Sequence, residues 1–477
     1  MSVREELRQS SQSVVFPPGV PAEARGAVAI IGGGFSGTIT AIQLRRRLPP
    51  EQEILLIERS GEFARGLAYA DTGAAHLLNV RAANMSAFPD DPGHFERWLE
   101  GADAEADVLR TDAGQFATRR LYGRYLQDTL QAEQEKGGGA VRLIRDEVTS
   151  LTRAPEGGWR LGCANGQSIA ARGVVLACGN LPMSRPCDGI VHHNPWPAAA
   201  LDGLKPDQPV LIIGTGLTMV DITLALKSRG FAGPVIALSR RGLLPQSHAP
   251  ILKPWPTPDF TPAERASATG LWRAVRAQIR AAEAQGIGWR AVIDSLRPIT
   301  AELWRGLPLA EQSRFLRHAR AYWDVVRHRM AAPAAARLQA LRENGELQII
   351  RGRVQNIECW PNGAEVRLFN KATGKAETLA VQRVIYATGL QGQRQGTGLL
   401  AGLIGSGLAR LDEHGFGLGV DQSLAVLDGQ GQPQADLWAL GPLVRGVFWE
   451  CIAVPDIRVQ ANALGAEIAA QFAHTGA

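Results

Sequence analysis

The chain has only five cysteines in 477 residues, and no two of them form Cys-x-x-Cys. Cys163, Cys178, Cys187, Cys359 and Cys451 are scattered, and no His/Cys cluster has the spacing of a zinc site. A paired redox-active thiol is therefore excluded, and no metal-binding residue is expected. No apolar run reaches the length of a membrane span, and the opening MSVREELRQSSQSVVF lacks the apolar stretch of a secretory signal. The cytoplasm is the expected location. Charge is nearly balanced, at +5 from 51 basic and 46 acidic residues, with no long basic block and no basic patch interleaved with aromatics. Neither nucleic acid nor membrane is an expected partner.

Glycine, by contrast, is abundant at 53 residues, and it punctuates two similar stretches. AIIGGGFSGTITAIQL (29–44) and LIIGTGLTMVDITLAL (211–226) each read as a strand, a tight turn and a helix. In the first, Gly32-x-Gly34-x-x-Gly37 has the dinucleotide-binding spacing: a tight turn, close backbone approach to a diphosphate, and close packing of helix on strand. Glu58 ends the next strand, where a carboxylate accepts hydrogen bonds from ribose hydroxyls. The second stretch keeps Gly214-x-Gly216 but has Met219 in the third place. After its next strand comes Ser239-Arg240-Arg241-Gly242, with no acid. A hydroxyl and guanidinium groups suit a 2′-phosphate that an acid would repel. The first turn is therefore expected to hold FAD and the second NADPH.

The fold class expected is α/β, with two Rossmann-like dinucleotide-binding domains and an all-helical insertion. Residues 1–26, with Pro17, Pro18 and Pro21, read as a flexible N-terminal segment. Residues 27–206 form the first part of the FAD domain, 207–390 the NADP domain with a helical insertion at 262–345, and 391–477 the closing part of the FAD domain. The strand ends VVLACGN (174–180) and VIYATGL (384–390), with Gly179 and Gly389, mark the crossings between domains. FAD spans its domain, so further contacts are expected from Asn79 and Met85 in the segment 65–88, from Val148 at the adenine, and from Gly441 and Pro442 at a strand–loop junction. Pro455 and Asp456 suit the start of the last helix, with Ile457, Leu464 and Ile468 facing inward. In RHARAYWDVVRHRM, Arg320, Trp323 and Arg327 fall on one helix face. An aromatic plate beside guanidinium groups suits a planar anion; the other reading is a core tryptophan flanked by solvated arginines.

Together these features resemble the two-dinucleotide-binding flavoproteins, with a glutathione-reductase-like FAD domain interrupted by the NADP domain, and among them the class B flavin monooxygenases. In the linker RPCDGIVHHNPWP, Gly189 and His193 keep the spacing of that class's F-x-G-x-x-x-H-x-x-x-W. Cys187 replaces the Phe, and Trp196 comes one residue early. The resemblance implies that His193 shapes the NADP site; a satisfied surface histidine is the alternative. HLLNVRAANMSAF, RRLYGRYL, IGTGLTMVD, WDVVRHRM and LGPLVRGVFWECIAVPDIRVQA are similar to a bacterial family of FAD/NAD(P)-binding proteins, with which an FAD-dependent urate hydroxylase is associated. What this implies is a single-component monooxygenase. NADPH reduces FAD, and a C4a-hydroperoxyflavin hydroxylates a small polar substrate, a planar anion such as urate being one candidate. O2 and that substrate are the implied partners, and His193, Trp323 and Arg327 the candidate catalytic residues. Two alternatives stand: an NADPH-dependent flavin oxidoreductase without oxygen transfer, and a non-catalytic redox-sensing flavoprotein. The intact second glycine turn argues against the latter.

Overall fold

Val28–Ile31, Ile54–Ile57 and Gly173–Leu176 are short, almost wholly aliphatic runs buried along their length. Runs without a polar face belong inside a parallel sheet covered on both sides. In the computed structural model, which describes residues 26–70, 76–102, 105–136, 139, 141–179, 189–193, 200–389 and 398–474, they form its centre. The lead-in 1–25, Cys187, Trp196 and Leu390 lie outside the described residues. The first sheet has six strands in the order Ala425–Leu427, Pro433–Ala439, Gly173–Leu176, Val28–Ile31, Ile54–Ile57 and Val141–Ile144. All are parallel except the Ala425–Leu427 edge. Helix Phe35–Arg45 is buried throughout, between this sheet and the last helix, Val454–His474. Ile457, Leu464 and Ile468 face inward there.

The second sheet has seven strands: Val191–His192, Arg383–Tyr386, Val210–Ile213, Val235–Ser239, Leu347–Trp360, Gly363–Asn370 and Lys375–Val381. The first five run parallel and the last two close an antiparallel meander. Two expected boundaries are corrected. The chain enters the second sheet before residue 191, not at 207, because Val191–His192 pairs with Val384–Ile385. The helical insertion does not extend to 345. Helix Ala332–Glu343 buries Leu338 and Leu341 against the second sheet's core, as the covering helix a parallel crossover requires. The insertion therefore departs directly after Ser239 and ends before Ala332.

That insertion, the cap, contains helices Ala268–Glu283, Trp289–Ser295, Thr300–Gly306, Leu309–His318 and Arg320–Arg327. It grows out of the second sheet but docks on the first domain. Trp304 Nε1 donates to the Gly446 carbonyl at 2.8 Å, Arg297 pairs with Asp456 at 2.7 Å, and Arg81 Nη2 donates to the Ala249 carbonyl at 2.8 Å. Elsewhere the two sheets are tied by Arg119 and Asp221, 2.8 Å apart and largely buried. Among the described residues, no helix is long and apolar enough to cross a membrane.

Candidate cofactor and active site

The two glycine turns are built alike. The Gly32 N–H donates to the Ile57 carbonyl and the Gly214 N–H to the Leu238 carbonyl, each at 2.8 Å. Each turn also rests on the end of a crossing strand: a Cβ on Gly32 would lie 2.5 Å from the Ala177 carbonyl oxygen, and one on Gly214 2.3 Å from that of Ala387. Gly37 packs tighter still, since its Cβ would fall 1.8 Å from the Gly32 oxygen. Gly34 and Gly216 start their helices without a side-chain cap. No side chain takes up the N–H groups that open these helices, and a diphosphate fits that need. Met219, in the third place of the second turn, is fully buried in the second sheet's core.

Past the turns the two copies diverge. Glu58 Oε2 accepts from the Gly33 N–H at 2.8 Å, while Oε1 accepts from the Ser60 N–H and hydroxyl. Each carboxylate oxygen has two lone pairs, so Oε2 keeps capacity for a ribose hydroxyl. At the matching place in the second copy, Ser239 Oγ sits 2.8 Å from Thr215 Oγ1 and accepts from the Gly242 N–H at 3.0 Å. It fastens the turn. Arg241 departs from expectation: its Nη2 donates to the carbonyls of Arg317 and His318, and its guanidinium lies 4.7 Å from the Tyr322 ring. Its charge serves the C-terminal end of helix Leu309–His318. Arg240 is exposed, and Lys371 reaches its carbonyl at 3.2 Å. Arg240 is therefore the exposed cation of this turn that could meet a 2′-phosphate, with Lys371 held beside it by that bond. Lys371 escaped the sequence because it arrives on a hairpin 131 residues away. Arg240→Glu should raise the KM for NADPH by about tenfold, one lost charge-assisted hydrogen bond, with little change for NADH. Arg241→Glu should instead lower thermal stability without altering that preference. Steady-state kinetics with both nucleotides separates them.

Of the segments expected along the flavin, that of Asn79 meets the cap and that of Gly441 meets the first-turn helix. The Asn79 carbonyl accepts from His248 Nε2 at 2.9 Å, and the buried Met85 offers its carbonyl to Tyr122 at 2.8 Å. Val148 is buried at the start of the three-stranded sheet Val148–Arg153, Trp159–Cys163 and Ser168–Ala171. Gly441, followed by Pro442, donates its N–H to Gln460 and faces Ser36 of the first-turn helix. Gly179 and Gly389 follow the crossing strands with open space where a Cβ would stand. His193 stacks on Tyr386 at 4.4 Å, one residue before the carbonyl that supports the second turn.

Where the loop around Asn79 meets the cap, several buried polar atoms are unmet among the described residues. Burial pushes the His248 imidazole down to about 4, so it is neutral, with the proton assigned to Nε2 by its bond to Asn79. His248 Nδ1, Arg81 Nε, and Arg329 Nε and Nη1 are buried without a hydrogen-bond partner. Arg329 Nη2 is held by Asp294. Buried polar groups without partners are rare, and the Arg81 and Arg329 donors beside the His248 Nδ1 acceptor suit an occupant that both accepts and donates hydrogen bonds, such as a dinucleotide.

Trp323 and Arg327 share one partner that the sequence reading did not single out. Trp323 Nε1 donates to Glu450 Oε1 and Arg327 Nε to Oε2, each at 2.7 Å. Arg327 and Glu450 are 6% and 8% exposed, a buried ion pair. Burial alone would raise the Glu450 carboxyl, but Arg327, His328 and Arg297 hold it below the usual carboxylate range. Arg320 pairs with Asp324. The arginine face expected to receive a planar anion is therefore corrected: the Arg327 charge is already neutralised. A lone acid inside the apolar run VFWECIAV was the available signal for Glu450. Its neighbour Trp449 has φ +56°, and the Glu450 N–H donates to the Phe448 carbonyl at 2.7 Å. This tight, strained γ-turn sends the Trp449 indole against Trp304, with ring centroids 4.8 Å apart, while Glu450 turns to Arg327.

Residues 29–181 match the family model described as FAD-NAD(P)-binding. No curated protein sequence matches the chain. Among solved structures, it is similar to the reduced ornithine hydroxylase of Pseudomonas aeruginosa, with a TM-score of 0.64 at 16% identity over 94% of this chain and 99% of that one. The L-lysine 6-monooxygenase of Pseudomonas syringae gives 0.62 at 17% identity, over 94% and 99%. The ornithine N-hydroxylase of Kutzneria sp., solved with reduced FAD, NADP+ and L-ornithine, gives 0.59 at 15% identity, over 93% and 99%. Residues 29–181 thus match an FAD-NAD(P)-binding family model, and over nearly its whole length the chain shares the fold of these hydroxylases and this monooxygenase.

Proposed function

We propose that this protein is an FAD- and NADPH-dependent monooxygenase acting on a small molecule with O2. The observation that carries the reading is the pair of like-built glycine turns, each resting on a crossing strand, with a cap docked over the segments that follow the first. The shared fold with flavin-dependent hydroxylases supports it. When bound, FAD would supply hydride acceptance from NADPH and activation of O2. The chain's own groups hold and enclose. The first turn and Glu58 would anchor one dinucleotide; the second turn, Arg240 and Lys371 the other. His193 would border the second site. The cap, fastened through Trp304, Arg297 and Glu450, would keep water from the reacting centre. A urate-like anion is not favoured, because Arg327 already has its counter-charge in Glu450.

The test is anaerobic reduction of the purified yellow protein with NADPH, followed by oxygenated buffer and a panel of substrates, with quantification of hydroxylated product and hydrogen peroxide. Product formed with O2 uptake at one per NADPH is expected. If peroxide accounts for all the NADPH across the panel, the protein is a reductase without oxygen transfer.

A further inference from the structure

Protein interiors pack about as densely as organic crystals, and voids much larger than a water molecule are few. Yet the cap forms a pocket of about 530 Å³, partly open to solvent. Small-molecule pockets span about 300–1,000 Å³, so this space has the size of a ligand rather than of a packing defect. Its wall contains five tryptophans: Trp272, Trp289, Trp304, Trp323 and Trp449. Leu271, Val275 and Ile279 of helix Ala268–Glu283 are only half-buried and line this space. The cap has spent its hydrophobic surface on a lining.

The charges of the lining stand at the rim, and those behind the wall are already paired. Arg276 and Glu283 are exposed on the outer helix, at the rim. Glu450, held behind Trp323, is already paired with Arg327. The Thr300 hydroxyl is spent on the Leu296 carbonyl. An ammonium or carboxylate passing beyond the rim would lose its water without gaining a counter-charge, which burial penalises. Two exposed polar side chains of the lining make no hydrogen bond among the described residues, the amide of Gln246 and the hydroxyl of Tyr322, and the backbone of Gln246 is fixed by Val325 and Met330.

We infer that this cavity is the substrate pocket and that it takes a neutral, flat aromatic molecule carrying one N–H group, of which indole is the simplest example. The indole faces of the wall supply stacking, and Gln246 Oε1, at the exposed mouth, accepts the ligand's N–H. Trp449 forms the end of the pocket nearest the flavin segments: its γ-turn stands eight residues after Gly441, and Cys451, two residues further on, hydrogen-bonds to the Gly441 carbonyl. Only the word substrate rests on the monooxygenase reading; the binding itself does not.

The test is calorimetric titration of the flavin-bound protein, without NADPH, using indole, its hydrocarbon isostere indene, and L-ornithine. Saturable binding of indole and indene and none of L-ornithine is expected. Gln246→Leu should weaken indole by about tenfold and leave indene unchanged, a split that general damage to the cap would not produce. Val275→Trp and, separately, Leu303→Trp should block both aromatic ligands while the flavin spectrum stays native. Saturable L-ornithine binding without indole binding, or indole binding indifferent to both filling variants, would overturn the assignment. A protein that binds indole but is never reduced by NADPH keeps its pocket and loses the monooxygenase reading. One that hydroxylates another molecule and ignores indole does the reverse.

Discussion

Gly37→Ala should give a colourless protein. The added Cβ would stand 1.8 Å from the Gly32 carbonyl oxygen and 3.2 Å from Ile30 Cγ2, and the nearer neighbour is backbone. A flexible side chain could swing aside; a turn carbonyl cannot. Either the helix Phe35–Arg45 lifts off the sheet or the turn opens, and both displace the N–H groups available to a diphosphate. Overpacking a site of this kind costs about 1–3 kcal/mol in stability. The larger loss is in cofactor affinity, where about tenfold goes with every 1.4 kcal/mol. Purified variant should therefore contain less than about a tenth of the flavin of the wild type, measured by absorbance after denaturation. Gly216→Ala is the control from the second turn, since nothing lies within 4 Å of its Cβ. It should fold, stay yellow and bind NADPH more weakly. A fully flavinylated Gly37→Ala protein would mean that the first turn does not hold FAD.

Glu450→Gln should be the most destabilising single change in the cap. It keeps the shape of the side chain and removes the charge opposite Arg327, leaving a buried guanidinium without its main counter-ion. Breaking a buried pair from one side costs about 3–5 kcal/mol. Urea unfolding followed by tryptophan fluorescence reads this directly, because Trp323 donates to the same carboxylate and Trp449 is its neighbour. Replacing both partners, as Glu450→Gln with Arg327→Met, should recover most of the loss; no recovery would show that the pair is not what holds the cap. The pH dependence follows from the depressed Glu450 carboxyl. Its contribution is fully present above the ordinary carboxylate range and is lost as pH falls through the depressed value. Wild type should therefore lose more stability on acidification than the Glu450→Gln variant does.

The sequence disclosed what depends on short-range pattern. Both glycine turns, their strands and helices, and Glu58 at its strand end lie within about thirty residues of one another in each copy, where apolar runs and turn residues speak for themselves. What it concealed depends on distant partners. Val191–His192 is a two-residue strand, too short to carry any alternation. Helix Ala332–Glu343 has the alanine- and arginine-rich composition of the cap, so only its burial against the second sheet separates it. Arg241 and Arg327 looked alike as free cations. Their commitments to helix carbonyls more than seventy residues away and to Glu450 over a hundred away appear only in three dimensions.

The cap's double attachment has a consequence for how the molecule can be divided. By chain order, residues 189–389 look like a module that could be excised and studied alone. Yet Asp221, Arg297, Arg327 and Trp304 inside it have as partners Arg119, Asp456, Glu450 and Gly446, all outside it. Cutting there would bare three ionised groups and an indole N–H at once. The second sheet is inherited as a unit in sequence but not in energy, so gene fragments or domain grafts drawn along that boundary should yield insoluble protein unless the segment around Gly446–Asp456 travels with them.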